Sequence, residues 1–237
     1  YDVRGRVTHE AICNTRTGAL RCLSTQQGDS PFTPWSRGLA WAMLGFSEQL
    51  EFLATVPPRE LADEGGKAAV EAFMRRAACD ACDRYIEDAA ADGIPYWDFG
   101  APGLRHLGDH RAKPADPFND HEPVDSSAAA IAAQGLLRLG HYLRRREPGR
   151  ARRYWQAGLT VMRALTGAPY LSTSPRHEGL LLHSVYHRPN GWDAVPPGRR
   201  VPCGESSMWG DYHLREAALY VQRVIRRDPY PVFWGGS

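Results

Sequence analysis

Apolar residues recur every three to four positions through most of the chain, which is the spacing of amphipathic helices. The pattern predicts five helices, at residues 35–55, 66–91, 126–145, 150–166 and 209–227. The second of these is predicted to bury one stripe, made of Val70, Phe73, Met74, Ala77, Ala81 and Tyr85. No stretch shows the strict alternation of a half-buried strand, so the sequence predicts an all-α protein.

Helix-breaking residues separate these stretches and leave two long connections. Pro57-Pro58 and Glu147-Pro148-Gly149 interrupt the helical pattern, and Asp125 is predicted to cap the third helix. Residues 94–124 and 167–207 are rich in proline and glycine and form the connections. Loops of that length are usually functional, so we expect the site there.

Size and charge narrow the function classes. A chain of 237 residues with 43% hydrophobic content can bury one sizeable core, and we expect residues 1–237 to form a single domain. A formal net charge of +2 gives no indication of nucleic-acid binding. No apolar run is long enough for a membrane span. The opening residues do not resemble a signal peptide, so a cytoplasmic and a periplasmic location both stay open.

Cysteine and histidine spacings give no metal site. Five scattered cysteines do not form the pattern of a secreted disulfide framework. Cys79 and Cys82 lie within a helical stretch and are interpreted as small core residues. His183 and His187 have the spacing of a helical metal pair, but Pro189 follows at once and indicates a loop.

The segment Trp35-Ser-Arg-Gly-Leu-Ala-Trp41 places an arginine and a tryptophan one helical turn apart. Residues at i and i+4 share a helix face, so Arg37 and Trp41 can point at one target. A guanidinium binds a carboxylate through two parallel hydrogen bonds, and an indole stacks on the C–H face of a sugar. The pair therefore suits an acidic sugar. The alternative is an ordinary helix start with a core tryptophan and a solvated arginine.

Four segments in order resemble the unsaturated glucuronyl hydrolases, glycoside hydrolase family 88. They are Trp35-Ser-Arg-Gly-Leu-Ala-Trp41, Gly93-Ile-Pro-Tyr-Trp-Asp-Phe99, Asp125-Ser-Ser-Ala-Ala-Ala-Ile-Ala-Ala133 and Trp209-Gly-Asp-Tyr-His213. The resemblance implies an (α/α)6 barrel, a ring of twelve helices with the site at one mouth. Twelve helices and their connections need more than about 300 residues. We therefore expect this chain to be the C-terminal part of the ring, with further N-terminal helices or a second chain completing it.

The resemblance also implies an activity. Family members release the 4,5-unsaturated uronic acid that a polysaccharide lyase leaves at the end of an oligosaccharide. An aspartic acid protonates C4 of the double bond and activates water for attack at C5, which is general acid–base catalysis without a cofactor or metal. The expected partner is thus an unsaturated uronic-acid oligosaccharide.

Four positions match substrate-binding positions of the family. Arg37 is expected to pair with the uronate carboxylate and Trp41 to form a stacking wall. Gln27 and His9 are expected to form hydrogen bonds near the reacting carbons. Each could singly be a surface residue, but the four share the register of the family.

The sequence also departs from the family. The two key aspartates of the family lie N-terminal to the position of His9, in stretches without a counterpart in this sequence. Gln26 stands where the family usually has histidine, and Leu39 replaces a glutamine. The remaining candidate carboxyls are Asp98, Asp125, Glu205 and Asp211. Asp125 is interpreted as a helix cap and Asp211 as a first-turn charge that suits the helix dipole, while capping or tethering of a loop is the preferred interpretation of Asp98 and Glu205. The catalytic acid stays unassigned.

Two other functions stay open at this point. A short paralogue without the catalytic aspartates would act as a sugar-binding or assembly module. The unsaturated rhamnogalacturonyl hydrolases share the fold and chemistry but act on a different backbone.

Overall fold

Five α-helices occupy the stretches in which apolar residues recur every three to four positions. A computed structural model describes residues 3–229 of the chain. Its helices are α1 (Ser36–Leu53), α2 (Lys67–Asp88), α3 (Ser126–Leu143), α4 (Pro148–Leu165) and α5 (Met208–Arg226). The mostly helical prediction is confirmed, and each helix begins and ends within three residues of its predicted bounds.

A two-stranded hairpin precedes the helices, so the expectation of no strands was wrong. Strand β1 (Glu10–Cys13) pairs antiparallel with β2 (Leu20–Ser24), with Glu10 opposite Ser24. Both faces of this ribbon are largely exposed. Without a buried face, the strands carry no alternation of apolar and polar residues that a period of two could reveal.

The helices form two rows. Helices α1, α3 and α5 lie side by side, while α2 packs behind them mainly against α1 and α4 packs mainly against α3. Helix α3 is buried along almost its whole length. Its small residues permit this, since a Cβ at Gly135 would lie only 2.9 Å from the Leu44 nitrogen of α1. One core cluster lies between α1, α2 and α3, and the other between α3, α4, α5 and the long connections.

The buried stripe of α2 differs in one place from its prediction. Ala77, Ala81 and Tyr85 are buried, but Phe73 is 52% exposed and the assignment of Phe73 to the core was wrong. The reason is that α2 belongs to the outer row and covers its neighbours with its C-terminal half. Cys79 and Cys82 are buried free thiols within that half, which confirms their interpretation as core residues.

None of the helices within residues 3–229 combines the length and the apolar character that crossing a bilayer requires.

Candidate functional site

The site lies where α1, α3 and α5 begin, because these three helices run in the same direction. Hydrogen bonds join their preceding segments into one layer. The Ser36 hydroxyl donates to the Trp97 carbonyl (2.9 Å), and the Asp125 amide donates to the Pro95 carbonyl (2.9 Å). The Ser126 amide donates to the His183 carbonyl (3.1 Å). The long connections therefore meet at one end of the helix row.

The Arg37 guanidinium is the centre of this layer. It donates to Asp125 Oδ2 (2.9 Å), to Gln27 Oε1 (3.0 Å), to the Tyr186 carbonyl (2.7 Å) and to the Val185 carbonyl. The residue is 3% exposed. One charged group thus ties the loop before α1, the start of α3 and the loop before α5 to one another.

Two indole rings enclose the same guanidinium. The Arg37 Cζ atom lies 4.8 Å from the ring centroid of Trp35 and 5.1 Å from that of Trp209. The Trp209 Nε1 group donates to the Ser127 hydroxyl (2.9 Å). Cation–π contacts strengthen when the cation is desolvated, so these rings add to the ion pair with Asp125.

Asp125 is fully occupied by structural bonds. Its Oδ1 atom accepts from the Ser127 amide (3.0 Å), the Ser127 hydroxyl (2.5 Å) and the Ala128 amide (3.3 Å), while Oδ2 accepts from Arg37. These are the bonds of an N-cap, which confirms that interpretation.

His9 and Gln27 lie together beside Arg37. His9 Nδ1 accepts from the amides of Gln26 (3.2 Å) and Gln27 (3.4 Å), so the proton of the neutral ring resides on Nε2. The His9 ring also packs on Trp35, with centroids 4.7 Å apart. Three of the four predicted substrate-binding residues, His9, Gln27 and Arg37, are therefore brought together.

Trp41, the fourth predicted residue, lies one turn further along α1. Its ring is 40% exposed and meets the ring of His213 edge-on, with centroids 5.0 Å apart. His213 Nδ1 is 2.6 Å from Gln134 Oε1 of α3. An exposed indole supported by a buried histidine is available for stacking on a ligand.

Asp98 holds the segment that carries Gln27. Its Oδ2 atom accepts from the Asp29 amide (2.9 Å) and the Thr33 hydroxyl (3.1 Å), and Oδ1 accepts from the Gly100 amide (2.8 Å). Burial raises the pKa of this carboxyl. A Cβ at Gly28 would lie 3.1 Å from Asp98 Oδ2 and 3.0 Å from the Cβ of Trp35. The close approach explains the glycine, and the preferred interpretation of Asp98 as a loop tether is confirmed.

The other two candidate carboxyls have different surroundings. Asp211 accepts from the amides of Leu180 and Leu181, each at 2.8 Å, and so ties the second long connection to α5. Glu205 is exposed and borders a cavity next to Trp209. Within the described range, no group of three or more acidic, cysteine or histidine side chains has the geometry of a metal site.

Four of the contacts at the site were not predicted from the sequence. Trp209 and Ser127 belong to segments that carry the family resemblance, yet neither was assigned a role. The carbonyls of Val185 and Tyr186 carry no sequence signal, since any residue has one. The signal for Trp209 is positional: α5 is parallel to α1, so its first turn lies at the same end as Arg37.

Curated proteins with similar sequences are glycoside hydrolases. The chain is 28% identical over 201 residues to the unsaturated glucuronyl hydrolase of Bacillus sp. (strain GL1). The aligned residues make up 85% of this chain and 42% of the relative. It is 26% identical over 219 residues to the unsaturated glucuronyl hydrolase of Formosa agariphila, and this alignment makes up 92% of the chain and 44% of the relative. The chain thus spans less than half the length of these relatives. No protein-family model matches it.

A solved structure extends the likeness to the fold. The crystal structure of the unsaturated glucuronyl hydrolase from Bacillus sp. GL1 aligns with a TM-score of 0.70 at 25% identity, over 94% of this chain and 48% of that one. The chain is mostly helical and matches part of the (α/α)6-barrel fold of unsaturated glucuronyl hydrolase structures. Its curated and structural neighbours are unsaturated glucuronyl hydrolases, so the recognition made from the sequence motifs is confirmed.

Proposed function

We propose that this chain forms part of a glycoside hydrolase that releases a 4,5-unsaturated uronic acid from lyase-generated oligosaccharides. The observation that carries the proposal is the cluster of His9, Gln27 and Arg37 at the common end of three parallel helices. The cluster occurs in a chain whose relatives are named for this activity. The reaction is hydration of the C4=C5 bond, which opens the sugar and breaks the glycosidic bond.

His9 and Gln27 are proposed to bind the substrate directly. Both are only partly buried, and the Nε2 proton of His9 is available as a donor. Trp41 is proposed to stack on a sugar ring, which its exposure supports. These groups supply hydrogen bonds and an apolar wall of the kind that a sugar ring needs.

Arg37 is proposed to act mainly on the residues around it. A direct bond to the uronate carboxylate, the role expected from the motif, would require the substrate to replace one of its present acceptors. Among these acceptors, Gln27 Oε1 accepts from Arg37 at 3.0 Å, and Gln27 is the acceptor residue that this proposal places against the ligand. Arg37 therefore orients Gln27 for the substrate, while its own charge is paired with Asp125.

The general acid is proposed to come from helices that complete the barrel. Asp98, Asp125 and Asp211 are engaged in tethers and a cap. Exposed apolar side chains on α5, such as Leu219 and Ile225, support further helices of the same protein or a second chain as the missing neighbours. Residues 1–237 would then be one α-hairpin domain within that ring.

Isothermal titration calorimetry with an unsaturated glucuronyl disaccharide tests the binding part of this proposal. We expect the Gln27→Ala variant to bind about fivefold more weakly than the wild type, since one hydrogen bond contributes roughly 1 kcal/mol. Gln26→Ala is the matched control, because Gln26 is the exposed neighbour of Gln27. Equal affinities for the two variants would refute the assignment of Gln27 to the site.

A further inference from the structure

His213 is the last residue of the fourth motif segment and packs behind the exposed Trp41 indole. The imidazole is buried, with 8% of the residue exposed, and its plane makes an angle of 72° with that of the indole. Edge-to-face contact at a centroid separation of 5.0 Å is a favourable geometry for two aromatic rings. Of the rings within residues 3–229, that of His213 is the one that packs on Trp41. The imidazole therefore supports the indole on the side away from solvent.

A hydrogen bond to α3 fixes the imidazole in turn. His213 Nδ1 donates to Gln134 Oε1 (2.6 Å), and Gln134 is 1% exposed. The ring of Tyr212 meets the imidazole at 89°, with centroids 4.9 Å apart. The imidazole cannot turn about its Cβ–Cγ bond without leaving the buried Gln134 amide unpaired, which is costly. Three helices thus contribute to one contact, since α3 holds a ring of α5 that supports a ring of α1.

Fixing the indole before the sugar arrives favours binding. Trp41 is open to solvent, so without a ring behind it the indole would be free to exchange among rotamers. A side chain that becomes ordered only on binding weakens the affinity, by about twofold to tenfold for one side chain. An indole that is already held in one plane avoids this loss.

We propose that His213 is a positioning residue: its imidazole, held by Gln134, fixes the plane of the Trp41 indole for stacking on a sugar ring. The inference rests on the proposed function, because that function gives Trp41 its stacking role. His213 acts through Trp41 and makes no contact with the sugar. The ring edge is the part of His213 that supports the indole, and the hydrogen bond orients that edge.

Two substitutions separate the ring of His213 from its hydrogen bond. His213→Asn keeps an amide that can bond to Gln134 but removes the ring, whereas His213→Phe keeps a ring against Trp41 and removes the bond. In calorimetric titration of the full chain with an unsaturated glucuronyl disaccharide, we expect His213→Asn to bind about threefold to tenfold more weakly than the wild type. His213→Phe should bind within about twofold of the wild type, although it should unfold at a lower temperature because Gln134 loses its partner.

The order of these two variants decides between a positioning role and a merely structural one. If the hydrogen bond alone mattered, His213→Asn would bind like the wild type and His213→Phe would bind weakly, and that order would overturn the proposal. His141→Asn is the matched control, because it makes the same substitution at the far end of α3. Its affinity for the disaccharide should equal that of the wild type.

A double variant tests whether His213 acts through Trp41. Trp41→Ala should weaken disaccharide binding by at least as much as His213→Asn. Once the indole is gone, adding His213→Asn should lower the affinity no further, so the two losses should not add. Additive losses would mean that His213 contacts the sugar or supports another group, and would overturn the positioning role.

Fluorine NMR reads the indole directly and needs no ligand. The chain contains seven tryptophans, and after labelling with 5-fluorotryptophan the signal missing from Trp41→Phe is that of Trp41. We expect its relaxation to report a rigid ring in the wild type and in His213→Phe, and a mobile ring in His213→Asn. A Trp41 ring that stays rigid in His213→Asn would overturn the proposal even if the disaccharide binds. If the disaccharide does not bind to the wild type, the binding part of the proposed function fails, and the Trp41 signal still decides whether His213 fixes the indole.

Discussion

Arg37→Ala provides the strongest test of how the site is held together. The substitution removes one partner of an ion pair in which Arg37 is 3% exposed and Asp125 is fully buried. Leaving a buried charge unpaired costs about 3–5 kcal/mol. For a chain of this size, 1 kcal/mol corresponds to roughly 2–4 °C in Tm, so we expect Tm to fall by about 6–20 °C.

Thermal unfolding followed by circular dichroism measures this change, with Arg76→Ala as the control. Arg76 is exposed on α2, so its replacement keeps the helical context and removes only a solvated charge. A double variant, Arg37→Met with Asp125→Asn, removes both charges and retains an acceptor for the cap. We expect the double variant to lose about 1–3 kcal/mol less unfolding free energy than the summed losses of the single variants Arg37→Met and Asp125→Asn.

One combination of results would refute this reasoning. If Arg37→Ala kept its Tm within roughly 2 °C of the wild type but bound the uronate ten- to a hundredfold more weakly, the arginine would contact the substrate carboxylate directly. Its position among Asp125, Gln27 and the Tyr186 carbonyl would then contribute little to stability.

Three further substitutions test the packing and the charge state of the layer. Gly28→Ala should destabilise the protein and weaken disaccharide binding, because the added Cβ would crowd Trp35 and Asp98. Gly45 lies in an open part of α1, so Gly45→Ala should stabilise the protein by about 0.5–1 kcal/mol. Urea unfolding measures both changes in stability. The reverse order of stabilities would contradict the close approach at Gly28. Burial lowers the pKa of His183 to about 4, against about 6.5 in the unfolded chain, so the native state binds fewer protons and stability falls as pH drops from 6.5 to 4. Asparagine tolerates the backbone φ of 69° at position 183, so His183→Asn should reduce this pH dependence of the unfolding free energy without straining the backbone. An unchanged dependence on pH would mean that His183 does not cause it.

The helices could be predicted from the sequence because each buries one face. Residues 36–53 and 126–143 carry apolar side chains at helical spacing, and Asp125 marks the start of α3 by its capping chemistry. The hairpin was missed because neither of its faces is buried. Its turn did carry a signal: Asn14 Oδ1 accepts from the Arg16 amide (2.9 Å), and Gly18 adopts a φ of 70°.

The site could be predicted only in part. The motif register located His9, Gln27 and Arg37, which the structure brings together. It could not show that Asp125 is the partner of Arg37, because the two are 88 positions apart in sequence. The two backbone carbonyls that accept from Arg37 depend on how residues 167–207 fold, and no side-chain pattern records that path.

Turnover of an unsaturated glucuronyl disaccharide tests the central claim most directly. The conjugated C4=C5 bond absorbs in the ultraviolet, so loss of absorbance reports its hydration. With the barrel completed by its further helices or a partner chain, the account predicts that absorbance decays and that Gln27→Ala slows the decay while Gln26→Ala does not. A completed protein that binds the disaccharide and leaves its absorbance unchanged would contradict the hydrolase and favour a sugar-binding module.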